Sequence, residues 1–129
     1  MDTPDPEPRR AVLVAEDEPL VRFFLVDVFE DAGFDVVAVN SADEAVVQFE
    51  REVTVDVVVS DIEMPGKLNG IGLARWLSEN YPSVGVVLIS GRIFPGVNAL
   101  PQGTTFLRKP VSSQTLLQHV HGLTEAASR

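Results

Sequence analysis

Val55–Gly66 reads VDVVVSDIEMPG, and the fold of the chain turns on how it is read. Its opening residues are apolar or strand-forming with almost no polar alternation, the pattern of a strand covered on both faces in a parallel sheet. Asp61 follows at once. In an open α/β sheet, helices cover the faces and leave the carboxyl ends of the strands open, so a carboxylate there lies where ligands and chemistry gather. Pro65-Gly66 then forces a turn. Taken alone, Asp61 reads more readily as the cap of a following helix; the rest of the chain shifts the balance.

Upstream, Ala11–Ala15 (AVLVA) is a second continuous apolar run, closed by Glu16, Asp17 and Glu18. Pro19 suits the first position of a helix, and the acidic residues before it suit the positive end of the helix dipole. That helix extends to about Ala32 and stops at Gly33, with Leu20, Val21, Phe24, Leu25, Val28 and Ala32 as its core stripe and Phe23 and Val26 outside it. Phe34–Val39 reads as a strand, and Ser41-Ala-Asp-Glu44 has capping-box spacing for a helix to about Arg51, with no chemistry visible there.

Downstream of Asp61, residues 69–80 read as a helix with Leu73, Trp76 and Leu77 inward. Val84–Ile89 is another buried strand, closed by Ser90 and Gly91. The segment GRIFPGVNALPQG, residues 91–103, breaks every helical window with glycine or proline, so no full helix is expected in it. Thr104–Arg108 is the fifth strand, followed by Lys109-Pro110. Ser112 or Ser113 then caps a last helix that turns Leu116, Leu117, Val120 and Leu123 to the core. His119 and His121 fall on different faces and form no metal pair. The order βαβαβαβ, loop, βα predicts a doubly wound parallel sheet with right-handed crossovers.

With 129 residues and 45% hydrophobic content, the chain makes one domain with a single core. A net charge of -9 argues against direct binding to nucleic acid, whose affinity rests on Lys and Arg. There is no cysteine, hence no disulfide or thiolate site. The proline- and charge-rich residues 1–9 are expected to be a disordered tail ahead of a domain spanning 10–125. No signal peptide or membrane span is visible, and a cytoplasmic location is expected.

In such a sheet Glu16, Asp17, Asp61, Ser90 and Lys109 become neighbours at one edge. Clustered carboxylates repel and call for a cation, and hard oxygen ligands with room for water and phosphate suit Mg²⁺. Lys109 and Ser90 can each meet a phosphoryl oxygen, Gly91 leaves room for the group, and Asp61 can act as a nucleophile forming an aspartyl phosphate.

These motifs resemble the receiver domain of two-component response regulators, from about Arg10 to Leu123. The resemblance rests on VLVAEDEP, VVVSDIEMPG, LISG and FLRKP occurring in that order. It implies a flavodoxin-like five-stranded sheet in the order 2-1-3-4-5. It implies a cis peptide before Pro110 and phosphorylation of Asp61 by a histidine kinase or histidine phosphotransfer protein. Direct Mg²⁺ ligation by Asp17 and Asp61 follows from it, with the Glu63 backbone carbonyl and water-mediated help from Glu16. Ser90 and Lys109 would bind the phosphoryl group, and Phe106 would stand as the aromatic switch residue, acting by packing because it has no hydroxyl. Against the family pattern, the loop after Asp61 is slightly long around Lys67-Leu68 and the interval from Ser90 to Lys109 is short. The fourth helix is therefore expected to be short or absent.

The expected function is that of a phosphorelay receiver, a signalling domain rather than an enzyme, with a receiver-fold docking module independent of phosphorylation as the alternative. A dehalogenase-like phosphatase would carry both acids in one DxD after the first strand, and a flavin-binding domain would be repelled by Glu16-Asp17-Glu18. Two expectations concern the surroundings of the site. Phe23, outside the core stripe, is expected to dock the protein phosphodonor. Glu63 and Arg92 flank the mouth; either they are two solvated side chains or they pair across it, with Arg92 gating access of water to the phosphoryl group.

Overall fold

The structure is a computed structural model that describes residues 10–96 and 99–127. The expected tail, residues 1–9, lies outside the described residues. Five strands, β1 (Ala11–Ala15), β2 (Asp35–Val39), β3 (Val57–Asp61), β4 (Gly85–Ser90) and β5 (Thr104–Arg108), form one sheet. Every pairing is parallel and the order is β2-β1-β3-β4-β5. Four helices cover it: α1 (Pro19–Asp31), α2 (Ala42–Glu50), α3 (Gly70–Asn80) and α4 (Ser113–Ala127).

The apolar runs form central strands because each successive side chain finds a helix. Val12 and Val14 of β1, with Val57 and Val59 of β3, pack against Leu25 and Phe29 of α1 and Leu116 and Val120 of α4. Leu13, Ala15 and Val58 point the other way, to Ala45 and Phe49 of α2 and Leu73 and Leu77 of α3. Burial on both faces is what removes polar alternation from β1 and β3.

Two helix expectations need correction. The fourth helix is neither short nor absent: in chain order it is α4, fifteen residues long. The breakers act only between β4 and β5, where the described residues of 91–103 hold bends and turns. Beyond β5 nothing interrupts the helix, and Ser112 starts it by accepting from the Thr115 N–H at 3.1 Å. The core stripe of α1 is also rotated from the expected one. Leu25 and Phe29 are its buried residues, whereas Leu20 and Phe24, expected inside, are 80% and 53% exposed. Phe29 gains an edge-on contact with Phe34 at 5.8 Å and is wholly enclosed.

Candidate functional site

The parallel register brings the carboxyl ends of β1, β3, β4 and β5 to one edge, and the expected site residues with them. Asp61 is the last residue of β3, and the chain then crosses to β4 through the Ile62 N–H, which donates to Ile89 O at 3.0 Å. Glu16 follows β1 directly and is almost wholly buried. Its own N–H donates to Val39 O at 3.1 Å, and its carbonyl accepts from Arg22 Nη1 at 2.9 Å, so the turn into α1 is tied down on both sides. Arg22 was not singled out by the sequence.

Glu16, Asp17 and Asp61 each offer a carboxylate oxygen, all within 4.8 Å of one another. Lys109 faces them. Its Nζ lies 3.0 Å from Asp61 Oδ2 and 3.7 Å from Glu16 Oε1. Three carboxylates thus share one ammonium, and the imbalance shows at Glu16. Burial, then the charge of Asp61, pushes the Glu16 carboxyl up to about 7 against the pull of Lys109. For Lys109, burial works to lower its pKa, but the hydrogen bond and charge of Asp61, helped by Glu16 and Asp17, win and raise it. Hard oxygens in excess of positive charge make a donor set suited to a divalent cation.

Ser90, at the end of β4, is buried, and its Oγ accepts from the N–H groups of Arg92 at 3.2 Å and Ile93 at 2.9 Å. A hydroxyl accepting twice still has its proton to donate. The Lys109 N–H donates to Ser90 O at 3.0 Å, which fixes the two phosphoryl-binding candidates to each other. A Cβ at Gly91 would meet Lys109 at 3.6 Å, ordinary contact, so space alone does not require glycine there. The Lys109–Pro110 peptide is cis, as the resemblance implies.

The Glu63 N–H donates to Asp61 Oδ1 at 3.3 Å, which sets Glu63 directly beside the acceptor candidate. Glu63 and Arg92 are both exposed, and no ion pair joins them among the described residues, as in the solvated alternative. Each backbone is held to its own strand end, and two long exposed side chains gain little by being held together. Phe106 lies within β5, partly buried, with Phe94 edge-on at 6.3 Å; the Arg108 guanidinium covers the other ring at 4.2 Å from its centre. Phe94 and Arg108 also escaped the sequence reading, since their contact exists only once the connection folds back over β5.

Beside Lys109 a cavity of about 410 Å³ opens between α1 and α4, lined by Val21, Phe24, Leu25, Val111 and Leu116 together with Glu16 and Asp61. Leu20, Phe23 and Phe24 stand exposed near it. Among the described residues no helix is long and apolar enough to cross a membrane.

Known proteins resemble this chain in sequence and fold. The chain is 31% identical over 116 residues to the CAI-1 autoinducer sensor kinase/phosphatase CqsS of Vibrio cholerae, covering 86% of this chain and 17% of that one. It is 35% identical over 112 residues to the response regulator protein FleR of Pseudomonas aeruginosa, covering 84% and 23%. It thus spans about a fifth of the length of these relatives. A crystal structure of a response regulator receiver protein from Sinorhizobium medicae is 30% identical, with a TM-score of 0.82 over 92% of this chain and 97% of the other. Residues 12–121, which run from the strand ahead of the acidic pair to the last helix, match the family described as the response regulator receiver domain. With that match and with acid trio, hydroxyl and lysine gathered at one sheet edge, the chain belongs to the response regulator receiver domain family.

Proposed function

We propose that this receiver domain, a signalling module of phosphorelay transduction, takes its phosphoryl group on Asp61 with Mg²⁺ held beside it. The observation that carries the reading is the acidic trio facing the single Lys109 ammonium at 3.0 Å from Asp61. Glu16, Asp17 and Asp61 fit the cation by donor type, and the upward pressure on Glu16 marks charge that a cation would relieve. The Glu63 carbonyl is a further candidate ligand, since its N–H already ties Glu63 to Asp61. Bound there, Mg²⁺ would offset the carboxylate charge and stabilise the oxygens of the transferring group.

The chain's own groups do the rest. An Asp61 carboxylate oxygen attacks phosphorus as the bond from phosphorus to the donor's imidazole nitrogen breaks, and the electron pair leaves on that nitrogen. Lys109 meets one phosphoryl oxygen as a point charge, and the Ser90 hydroxyl donates to another. Phe106 answers by packing, through the ring of Phe94 that lies against it. Arg92, exposed and tied by its N–H to Ser90, would meet the phosphoryl group or solvent at the mouth. The donor is a histidine kinase or histidine phosphotransfer protein, and the exposed Leu20, Phe23 and Phe24 beside the α1–α4 cavity suit it as a docking face.

Incubation with a small acyl phosphate and Mg²⁺, followed by intact mass, tests the assignment. The wild type is expected to gain one phosphoryl group and Asp61→Asn none, while Asp17→Ala loses Mg²⁺ binding. An Asp61→Asn protein that gains the group as the wild type does would overturn it.

A further inference from the structure

We propose that Asp43, in the first turn of α2, is a positioning residue that holds the loop following Asp61 in place over the cation site. The proposal rests on the reading of Asp61 and its neighbours given above. Asp43 lies far from them in sequence and is not a member of the acidic trio. Its carboxylate reaches across to the β3–α3 loop and accepts two consecutive backbone N–H groups, Lys67 at 2.8 Å through Oδ2 and Leu68 at 3.1 Å through Oδ1. These contacts bridge 24 and 25 residues of chain.

The loop is shaped to receive that carboxylate. Gly66 has φ +120°, a conformation that side chains rarely adopt, and a Cβ there would collide with Asp43 Oδ2 and stand 3.3 Å from Cγ. Glycine at 66 is therefore set by its backbone, and the space a Cβ would take is filled by the Asp43 carboxylate. An acid in the first turn of a helix often serves only the helix dipole. Here α2 already has its cap: Ser41 Oγ accepts the Glu44 N–H at 3.0 Å, and Glu44 reaches back to the Asn40 N–H at 3.4 Å. Asp43 is free of that duty and directs both of its oxygens to the loop.

What the loop carries makes this matter for function. Its near end is fixed by Ile62, whose N–H meets Ile89 O and whose carbonyl accepts the Gly70 N–H at 2.9 Å. The arch between carries Glu63, Met64 and Pro65, which line an open depression with Asp17. Glu63 is tied to Asp61 only by a long 3.3 Å hydrogen bond. The distance of the arch from Asp17 and Asp61 is thus set by its anchors on either side, and Asp43 is the far one.

The test uses the full chain and three variants: Asp43→Ala, Asp43→Asn, which keeps the side-chain shape and one carbonyl oxygen, and Glu44→Gln, which removes a neighbouring acid from the same helix turn. Mg²⁺ affinity is measured by calorimetric titration, and amide hydrogen exchange of residues 63–68 is followed in metal-free protein. Asp43→Ala is expected to weaken Mg²⁺ binding roughly tenfold, the scale of losing a group that orients metal ligands. It is also expected to speed exchange at Lys67 and Leu68. Asp43→Asn should fall between, and Glu44→Gln should leave Mg²⁺ affinity and loop exchange as in the wild type. Wild-type affinity in Asp43→Ala, or equal weakening in Glu44→Gln, would overturn the proposal. If the wild type binds no Mg²⁺, the assignment of the site fails instead, and exchange at Lys67 and Leu68 still decides whether Asp43 holds the loop.

Discussion

Two connections frame the phosphoryl-acceptor edge, and they are fastened in different ways. The β3–α3 loop, residues 62–69, is held by directional bonds: Ile62 to β4, Lys67 and Leu68 to Asp43, and Asn69 capping α3 through the Gly72 N–H at 2.9 Å. Among its described residues, the β4–β5 connection, residues 91–103, begins firmly at Ser90 and then rests mainly on side-chain packing, with Ile93 and Leu100 against the core and the ring of Phe94 between Phe106 and Arg108, and on Arg75 reaching Ala99 O at 3.2 Å. Ring contacts and one exposed guanidinium tolerate sliding, whereas backbone N–H groups aimed at a carboxylate do not. The receiver edge therefore has one wall fixed by directional bonds and one held by contacts that tolerate a shift.

The widest gap between the two walls should appear on adding a single methyl group. At Gly70 a Cβ would run into the backbone of Asp61 and stand 2.8 Å from Ile62 Cα, and neither backbone can yield without moving the acceptor. At Gly96 it would meet nothing within 4 Å. Gly70→Ala is expected to cost about 3 kcal/mol or more, the upper end for overpacking. Gly96→Ala should be neutral or gain up to about 1 kcal/mol from a less flexible unfolded chain. Urea denaturation of both variants checks this, and similar losses at the two sites would erase the distinction between the walls.

The firm wall was half legible in the sequence. Val57 to Val59 declared a strand buried on both faces, and the acids after β1 and β3 declared an edge short of positive charge, because both signals are local runs. The clamp from Asp43 was invisible. An acid two residues after a helix cap looks the same whether it faces water or a loop 24 residues away. The phase of α1 failed for another reason. PLVRFFLV is apolar at most positions, so periodicity admits several stripes; packing against β1, β3 and Phe34 keeps the expected Leu25, adds Phe29 and leaves Leu20 and Phe24 outside. For the light wall, the breakers in 91–103 were readable, and so was the cap at Ser112 or Ser113; the fourth helix in chain order is α4, past β5, where no such breakers stand.

A smaller effect concerns the floor that both walls share. The Glu16 carboxyl, ordinarily near 4.5, titrates near 7 in the folded chain because burial and Asp61 disfavour its charge. Between those values the native state holds a proton that the unfolded state has released. Its contribution to stability is therefore full below about 4.5 and is lost as pH rises through about 7. Metal-free protein should lose of order 1 to 3 kcal/mol across that window. Glu16→Gln should flatten the slope, because an amide neither charges nor releases a proton. Thermal unfolding at a series of pH values in the absence of Mg²⁺ measures it, and an unchanged slope in Glu16→Gln would place the loss elsewhere in the molecule.

The smallest expected effect tests whether the walls act separately. Glu63 belongs to the firm wall and Arg92 to the light one; they carry opposite charges, and each is tied by its N–H to a neighbouring strand end. The Glu63 N–H is committed to Asp61 and the Arg92 N–H to Ser90, with no ion pair between the side chains. An exposed pair of this kind contributes about 0 to 1 kcal/mol even where it forms. Each charge should act on the aspartyl phosphate through its own strand end, Glu63 by repelling an incoming water's developing negative charge and Arg92 by attracting the phosphoryl group. Dephosphorylation rates of the wild type, Glu63→Ala, Arg92→Ala and the double variant should therefore be additive on a logarithmic scale, to within about 0.5 kcal/mol. A larger coupling would mean that phosphorylation draws the two side chains together and that the light wall closes onto the firm one as a single gate.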